Sequence, residues 1–260
     1  MTGLLQDKVV VITGVGPGLG TTLAKRCAHE GADLVLAARS ASRLDDVAAS
    51  ITEIGRRAVS LPTDITEDGD VQALAHDALA AYGRIDGLVN NAFMFPSMKP
   101  FAATTFTHIR DSFELTVLGA LRTIQAFTPA LAESRGSIVN LSSMVIRHSD
   151  PQYGPYKLAK SALLAMSQSL SSELGGSGIR LNSVAPGYIW GQVLQDYFQQ
   201  QAEASDVSLD AVYAAAAAPS DLKRLVTEDD VSSAIMFLIS DLANGITGQT
   251  LDVNCGEHKA

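Results

Sequence analysis

The chain has 260 residues, 47% of them hydrophobic and 18% charged, and its 19 basic and 28 acidic side chains leave a net charge of −9. This composition fits a single globular domain spanning 1–260, long enough to bury a substantial core, and the acidic balance argues against nucleic acid or an anionic membrane surface as the main partner. Two distant cysteines, Cys27 and Cys255, and five scattered histidines suggest neither a disulfide framework nor a metal site.

The first residues are short and mixed rather than signal-like, and no stretch approaches 18 consecutive apolar residues. No membrane span and a reducing, cytoplasmic home are expected. Short apolar runs read as strands at 8–13, 33–38, 58–62, 87–90, 137–141, 180–185 and 250–253. Helical patterns fill the gaps at 18–30, 43–54, 67–82, 107–132, 155–173 and 228–240. Such alternation predicts an α/β fold of Rossmann type, a three-layer sandwich with a seven-stranded parallel sheet and helices on both faces. The run Ala214 to Ala218 reads as part of a helix.

The first strand runs directly into Gly14-Val15-Gly16-Pro17-Gly18-Leu19-Gly20 and then a helix. Glycines let a backbone approach a ligand closely, and the free N–H groups of a helix start meet an anion. The loop therefore reads as a phosphate cradle, although glycine-rich turns without a ligand are common. Further on, Tyr156 and Lys160 lie four residues apart, on one face of a helix, with Ser143 thirteen residues upstream. A cation near a phenol favours phenolate and lowers its pKa toward useful proton transfer. A serine hydroxyl aimed at the same point can hold a carbonyl oxygen. This set suits interconversion of C=O and CH–OH if a hydride donor lies alongside.

Taken together, Thr13-Gly14-x-x-x-Gly18-x-Gly20, Asp64, Asn90-Asn91-Ala92, Ser143, Tyr156-x-x-x-Lys160 and Pro186-Gly187 resemble the short-chain dehydrogenase/reductase family, in its compact one-domain form. The resemblance implies a nicotinamide cofactor bound by Gly14, Gly16, Pro17, Gly18, Leu19, Gly20, Asp64, Ile65, Asn90, Ala92, Tyr156, Lys160, Pro186, Gly187 and Ile189. It makes Ser143 the residue that polarises the substrate oxygen, Tyr156 the proton donor and acceptor, and Lys160 the holder of the nicotinamide ribose. Ala38 stands where NAD-preferring members carry an acid, and Arg39 and Ser40 follow it. NADP(H) is favoured, with NAD(H) the alternative, because a guanidinium fork suits a 2′-phosphate. Asp64, or Thr66 beside it, is also placed to cap the next helix.

Four positions depart from the family pattern. Phe93 replaces the glycine of Asn-Asn-Ala-Gly, and Pro17 stands where NADP-preferring relatives often carry a base. Gly191 replaces a threonine five residues after Pro186. Thr116 replaces the fourth catalytic residue, an asparagine, and a threonine in a helix tends to bond its own backbone. A slowed NADP(H)-binding sensor or scaffold is thus an alternative to the enzyme, as is an NAD-linked alcohol dehydrogenase.

The stretch 187–226 is too long for a simple connection and reads as a substrate loop, the competing possibility being a packed helical excursion. Phe93, Met94, Phe95, Met98, Met144, Val145, Ile146, Tyr188 and Trp190 are the expected pocket lining. The expected substrate is a hydrophobic, cyclic or long-chain ketone or secondary alcohol rather than a charged sugar. Arg147 and His148 are read as surface residues, the alternative being a polar contact in the pocket. The helices at 107–132 and 155–173 carry more apolar positions than one sheet face needs, which with the resemblance implies a homotetramer or homodimer.

Overall fold

The computed structural model describes residues 3–149 and 151–259; positions 1, 2, 150 and 260 of the expected domain lie outside them. Its strands are β1 (Val9–Thr13), β2 (Asp33–Ala38), β3 (Ala58–Pro62), β4 (Gly87–Asn90), β5 (Ser137–Leu141), β6 (Arg180–Pro186) and β7 (Thr250–Val253). They form one parallel sheet in the order β3-β2-β1-β4-β5-β6-β7. Strand order reverses between β1 and β4, and in such sheets that crevice, at the carboxyl ends, is where ligands bind.

Alternation along β1 explains the layers. Val10 and Ile12 join one buried cluster with α1 (Leu19–His29), α2 (Ala41–Glu53) and α9 (Glu228–Ile239). Val9 and Val11 face the other way, against α3 (Asp68–Tyr82), α5 (Gly119–Ser134) and α6 (Gly154–Gly175). Each Ile or Leu side chain so buried contributes roughly 2 kcal/mol. Cys27 lies wholly in the first cluster, and burial pushes its thiol up to about 12.

Two local expectations fail. The helix expected over 107–132 is α4 (Phe106–Phe113) and α5 joined by a π-helical stretch, Glu114–Leu118. Gly119 packs directly on Ile65, where a Cβ would lie 2.8 Å from the isoleucine side chain. The widened turn sits beside that close approach. Neither Asp64 nor Thr66 caps α3, whose N-cap is Glu67. Asp64 instead accepts from the backbone N–H and hydroxyl of Thr66, closing a tight turn one step earlier. The run Phe106–Ser134 is, by length and composition, apolar enough to cross a membrane. Its Ile124, Phe127 and Leu131 lie in the core beneath the sheet, as a layer helix requires.

Residues 187–226 fold into α7 (Gln192–Ser205) and α8 (Leu209–Ala217). The segment is tied to the sheet edge by Gly187 N–H donating to Val253 O at 2.9 Å, and its two ends are joined by Trp190 N–H donating to Val226 O at 2.7 Å.

Candidate active site

Strand register brings the site together. Thr13 pairs with Ala37 and Asn90, and Asn90 pairs with Asn140. The residues that follow these strands therefore emerge side by side: Gly14, Arg39, Asn91 and Ser143.

Each glycine of the first loop has its own reason. Gly14 has φ 72°, and a Cβ there would overlap the backbone of Ala92. Gly20 lies so close under the loop that a Cβ would sit 2.6 Å from Gly14 O. Gly18 has φ 92° and opens outward, where the first atom a Cβ would meet is a carboxylate oxygen of Glu228, at 3.2 Å. Asn91 donates to Gly14 O at 2.8 Å and pins the loop to β4. The α1 start at Leu19 has no side-chain cap and no acid in its first turn, so its N–H groups suit an anion. This loop fits the diphosphate of a dinucleotide, because the first glycine makes the turn, the next admits the ligand and the last lets helix and strand pack.

Asn90 is fully engaged. Its amide donates to Asn140 Oδ1 at 3.0 Å, and its carbonyl accepts from Thr123 at 2.7 Å. Asn140 donates to Ser167 on α6 at 2.9 Å. The chain Thr123–Asn90–Asn140–Ser167 locks α5, β4, β5 and α6 in register and so fixes the helix that carries Tyr156 and Lys160. Asn140, Thr123 and Ser167 belong to no motif, and only the strand pairing reveals them.

On α6, Pro155 lies within the first turn, where its lost N–H does no harm. Tyr156 is half-buried and hydrogen-bonds Ser143, and burial holds its phenol up at about 12 against that bond. Lys160 is 1% exposed, its Nζ donates to Leu141 O at 2.6 Å, and burial brings it down to about 7. The ammonium lies 5.7 Å from the Tyr156 ring centre. Lys160 does not lower the phenol here, contrary to the sequence reading: it is turned to the end of β5, and desolvation dominates both groups.

Thr116 is 2% exposed, and its hydroxyl has no hydrogen-bond partner. The expectation that it bonds its own helix backbone fails, since the π-helical turn that holds it departs from the ordinary i−4 spacing. Ser142 is likewise a buried hydroxyl without a partner.

Just after β2, Arg39 is exposed and Ser40 is the N-cap of α2 without a side-chain cap bond. Asp64 is held below the ordinary carboxyl range by its bonds from Thr66, with a smaller contribution from Arg39 nearby. Ile65 buries its side chain against Gly119. Pro17 is exposed on the loop. Pro186 ends β6, and Ile189 bridges Val226.

The expected pocket lining divides. Phe93 and Phe95 are exposed and stack edge to face at 4.9 Å. Met94, Met98 and Ile146 are half-buried, while Met144 and Val145 are buried. Tyr188 donates to or accepts from Tyr153 at 2.7 Å, and the Tyr153 ring lies 6.4 Å from that of Tyr156. Trp190 packs into its own segment, 4.6 Å from Tyr213 and 5.8 Å from Phe198, as a packed excursion would have it. Arg147 is on the surface as expected and pairs with Asp252 at 3.0 Å. His148 is not simply a surface residue: it is half-buried and stacks on His258 at 5.0 Å. Among the described residues no cluster of His, Cys, Asp or Glu could hold a metal.

Residues 14–258 match the family model described as enoyl-(acyl carrier protein) reductase, one of the short-chain dehydrogenases/reductases. The chain belongs to the short-chain dehydrogenase/reductase family. An L-fucose dehydrogenase of Oryctolagus cuniculus is 32% identical over 96% of this chain and 84% of its own. The L-sorbose reductase of Gluconobacter frateurii, solved with NADPH and L-sorbose, superposes with a TM-score of 0.92 at 26% identity, over 100% of this chain and 99% of its own. The carveol dehydrogenase of Mycobacterium avium, solved with NAD, gives 0.91 at 25% identity, over 98% and 99%. This chain is therefore a nicotinamide-dependent oxidoreductase acting on alcohol or carbonyl groups.

Proposed function

We propose that this protein, as a single catalytic domain, interconverts a hydrophobic ketone and its secondary alcohol with NADP(H), using Tyr156 as acid and base. The observation that carries the reading is the hydrogen bond between Ser143 and Tyr156, with the buried Lys160 ammonium 5.7 Å from the Tyr156 ring centre. The cofactor supplies or accepts hydride. Ser143 holds and polarises the substrate oxygen. Tyr156, neutral at ordinary pH because burial raises its phenol, gives its proton to that oxygen in reduction. In the oxidative direction it takes the proton back. Lys160, brought close to neutrality by its own burial, holds the ribose hydroxyls and returns protons toward the tyrosine. Thr116 contributes a buried hydroxyl with bonding capacity to spare where relatives carry an amide, and we assign it to the proton path.

Arg39 and Ser40 support NADP(H), since both directly follow β2 at the expected ribose position and Ala38 brings no repelling acid. Solved relatives hold either NADPH or NAD. The reaction class is in line with relatives named for alcohols and sugars. The aromatic surface of Phe93, Phe95, Tyr153 and Tyr188 supports an apolar substrate, and 187–226 is assigned as its loop. A shallow apolar groove between α5 and α6, lined by Leu121, Ile124, Leu170 and Leu174, supports a dimer or tetramer through those helices.

Turnover of a panel of cyclic and long-chain ketones with NADPH and with NADH tests the reading. Faster turnover with NADPH is expected. Tight dinucleotide binding with no turnover of any ketone or alcohol overturns the enzyme assignment, and tighter binding of NADH overturns the cofactor preference.

A further inference from the structure

Three acids open α9, and two of them have cations. Asp229 pairs with Arg26 at 2.7 Å, and Asp230 pairs with Arg224 at 2.5 Å while completing a capping box with Thr227. Glu228 points elsewhere. Its Oε2 accepts from the Thr22 hydroxyl on the first turn of α1 at 2.5 Å, and no ion pair of Glu228 is found among the described residues. Its Oε1 lies where a Cβ on Gly18 would point, and a Cβ on Gly191 would overlap the same atom. Gly191 has extended backbone (φ −128°), so its lack of a side chain serves space rather than conformation.

Gly18 is the glycine whose missing side chain admits the diphosphate. The first turn of α1 has no acid of its own, and a negative charge there is favourable by the helix dipole. A carboxylate from a distant helix thus stands at the mouth of the phosphate cradle, in space left by two glycines.

We propose that Glu228 is an internal anion that competes with the cofactor's diphosphate for the α1 N-terminus, swings aside when a dinucleotide binds, and so weakens cofactor affinity. The inference rests on the cofactor reading above. The α9 backbone need not move, because the capping box fixes it and only the glutamate side chain turns.

The test measures Kd for NADPH and NADH by fluorescence titration of the purified chain and of Glu228→Gln, which keeps an oxygen for Thr22 but loses the charge. Glu228→Ala serves as the second variant. Binding of either dinucleotide is expected to tighten about threefold to tenfold in both variants, with the gap narrowing as salt is raised. Without cofactor, both variants are expected to unfold at a lower temperature than the parent, because α1 loses its anion. Unchanged or weaker binding in folded Glu228→Gln overturns the proposal while leaving the cofactor reading intact. Absence of dinucleotide binding by the parent and both variants overturns both.

Discussion

Around the glycine loop, chain conformation follows from what a single added carbon would strike, whereas the segment 187–226 is held by side chains packed on one another. At Gly14 and Gly20 the obstacles are backbone atoms of Ala92, Gly14 and Val15, which cannot step aside. In 187–226 the fixed points are Trp190, Phe198, Tyr213 and Leu225, a small cluster apart from the two main cores. The contrast teaches where tolerance lies. The glycine-loop end is specified by backbone geometry. The other end can exchange ring for ring and re-form.

The sharpest way to break this comparison is Gly14→Val. It combines a left-handed backbone with overlap of Ala92, so we expect a loss of at least about 3 kcal/mol in chemical denaturation and no measurable dinucleotide binding. A mild effect would mean that the loop yields like the other end. Lys160→Met probes the ground between the two. A lysine brought from 10.5 to about 7 favours the neutral form in the folded state. Its penalty is absent above pH 10.5, grows as pH falls toward 7 and is constant below. The variant should therefore gain stability, by about 1 kcal/mol or more at pH 7 and below, with the gain vanishing above pH 10.5. A gain independent of pH would refute the burial argument. Trp190→Ala should cost about 1–2 kcal/mol and raise KM for a hydrophobic ketone, with the Kd for cofactor unchanged. A shift in cofactor Kd would mean that the two ends are not separable. Arg39→Ala should weaken NADPH binding about tenfold and leave NADH nearly unaltered; equal losses for both would assign Arg39 to Asp64 alone. The smallest effect on stability is expected at Thr116→Val, which removes a buried unbonded hydroxyl and should stabilise by up to about 1 kcal/mol while lowering kcat a few-fold. An unchanged kcat in that variant would take the hydroxyl out of the proton path.

The same contrast explains how far the sequence could be read. The sheet, its parallel strands, the glycine loop and the set Ser143, Tyr156 and Lys160 are legible, because β-branched runs, glycine spacing and i, i+4 spacing are local signals. The π-helical turn at Glu114–Leu118 was not, since it is tied to Gly119 meeting Ile65 from another element. For the same reason the orphaned hydroxyl of Thr116 escaped a local rule about threonine in helices. The direction of the Tyr156 shift was misjudged because burial cannot be read from i, i+4 spacing, and here it outweighs the neighbouring cation. Glu228 was invisible, because its importance comes from two glycines more than thirty residues away on either helix's approach, Gly18 and Gly191. The packing of Trp190 on Tyr213 does not follow from its place in the segment, because it is a tertiary contact.

The central claim is that Tyr156 moves the proton that accompanies hydride transfer. Tyr156→Phe keeps the ring and removes only the hydroxyl, so its cofactor Kd and its turnover should be measured on one preparation. The account predicts a fall in kcat of about 10³-fold with the dinucleotide bound as tightly as before. Turnover retained within a few-fold, with the fold and cofactor binding intact, would contradict it.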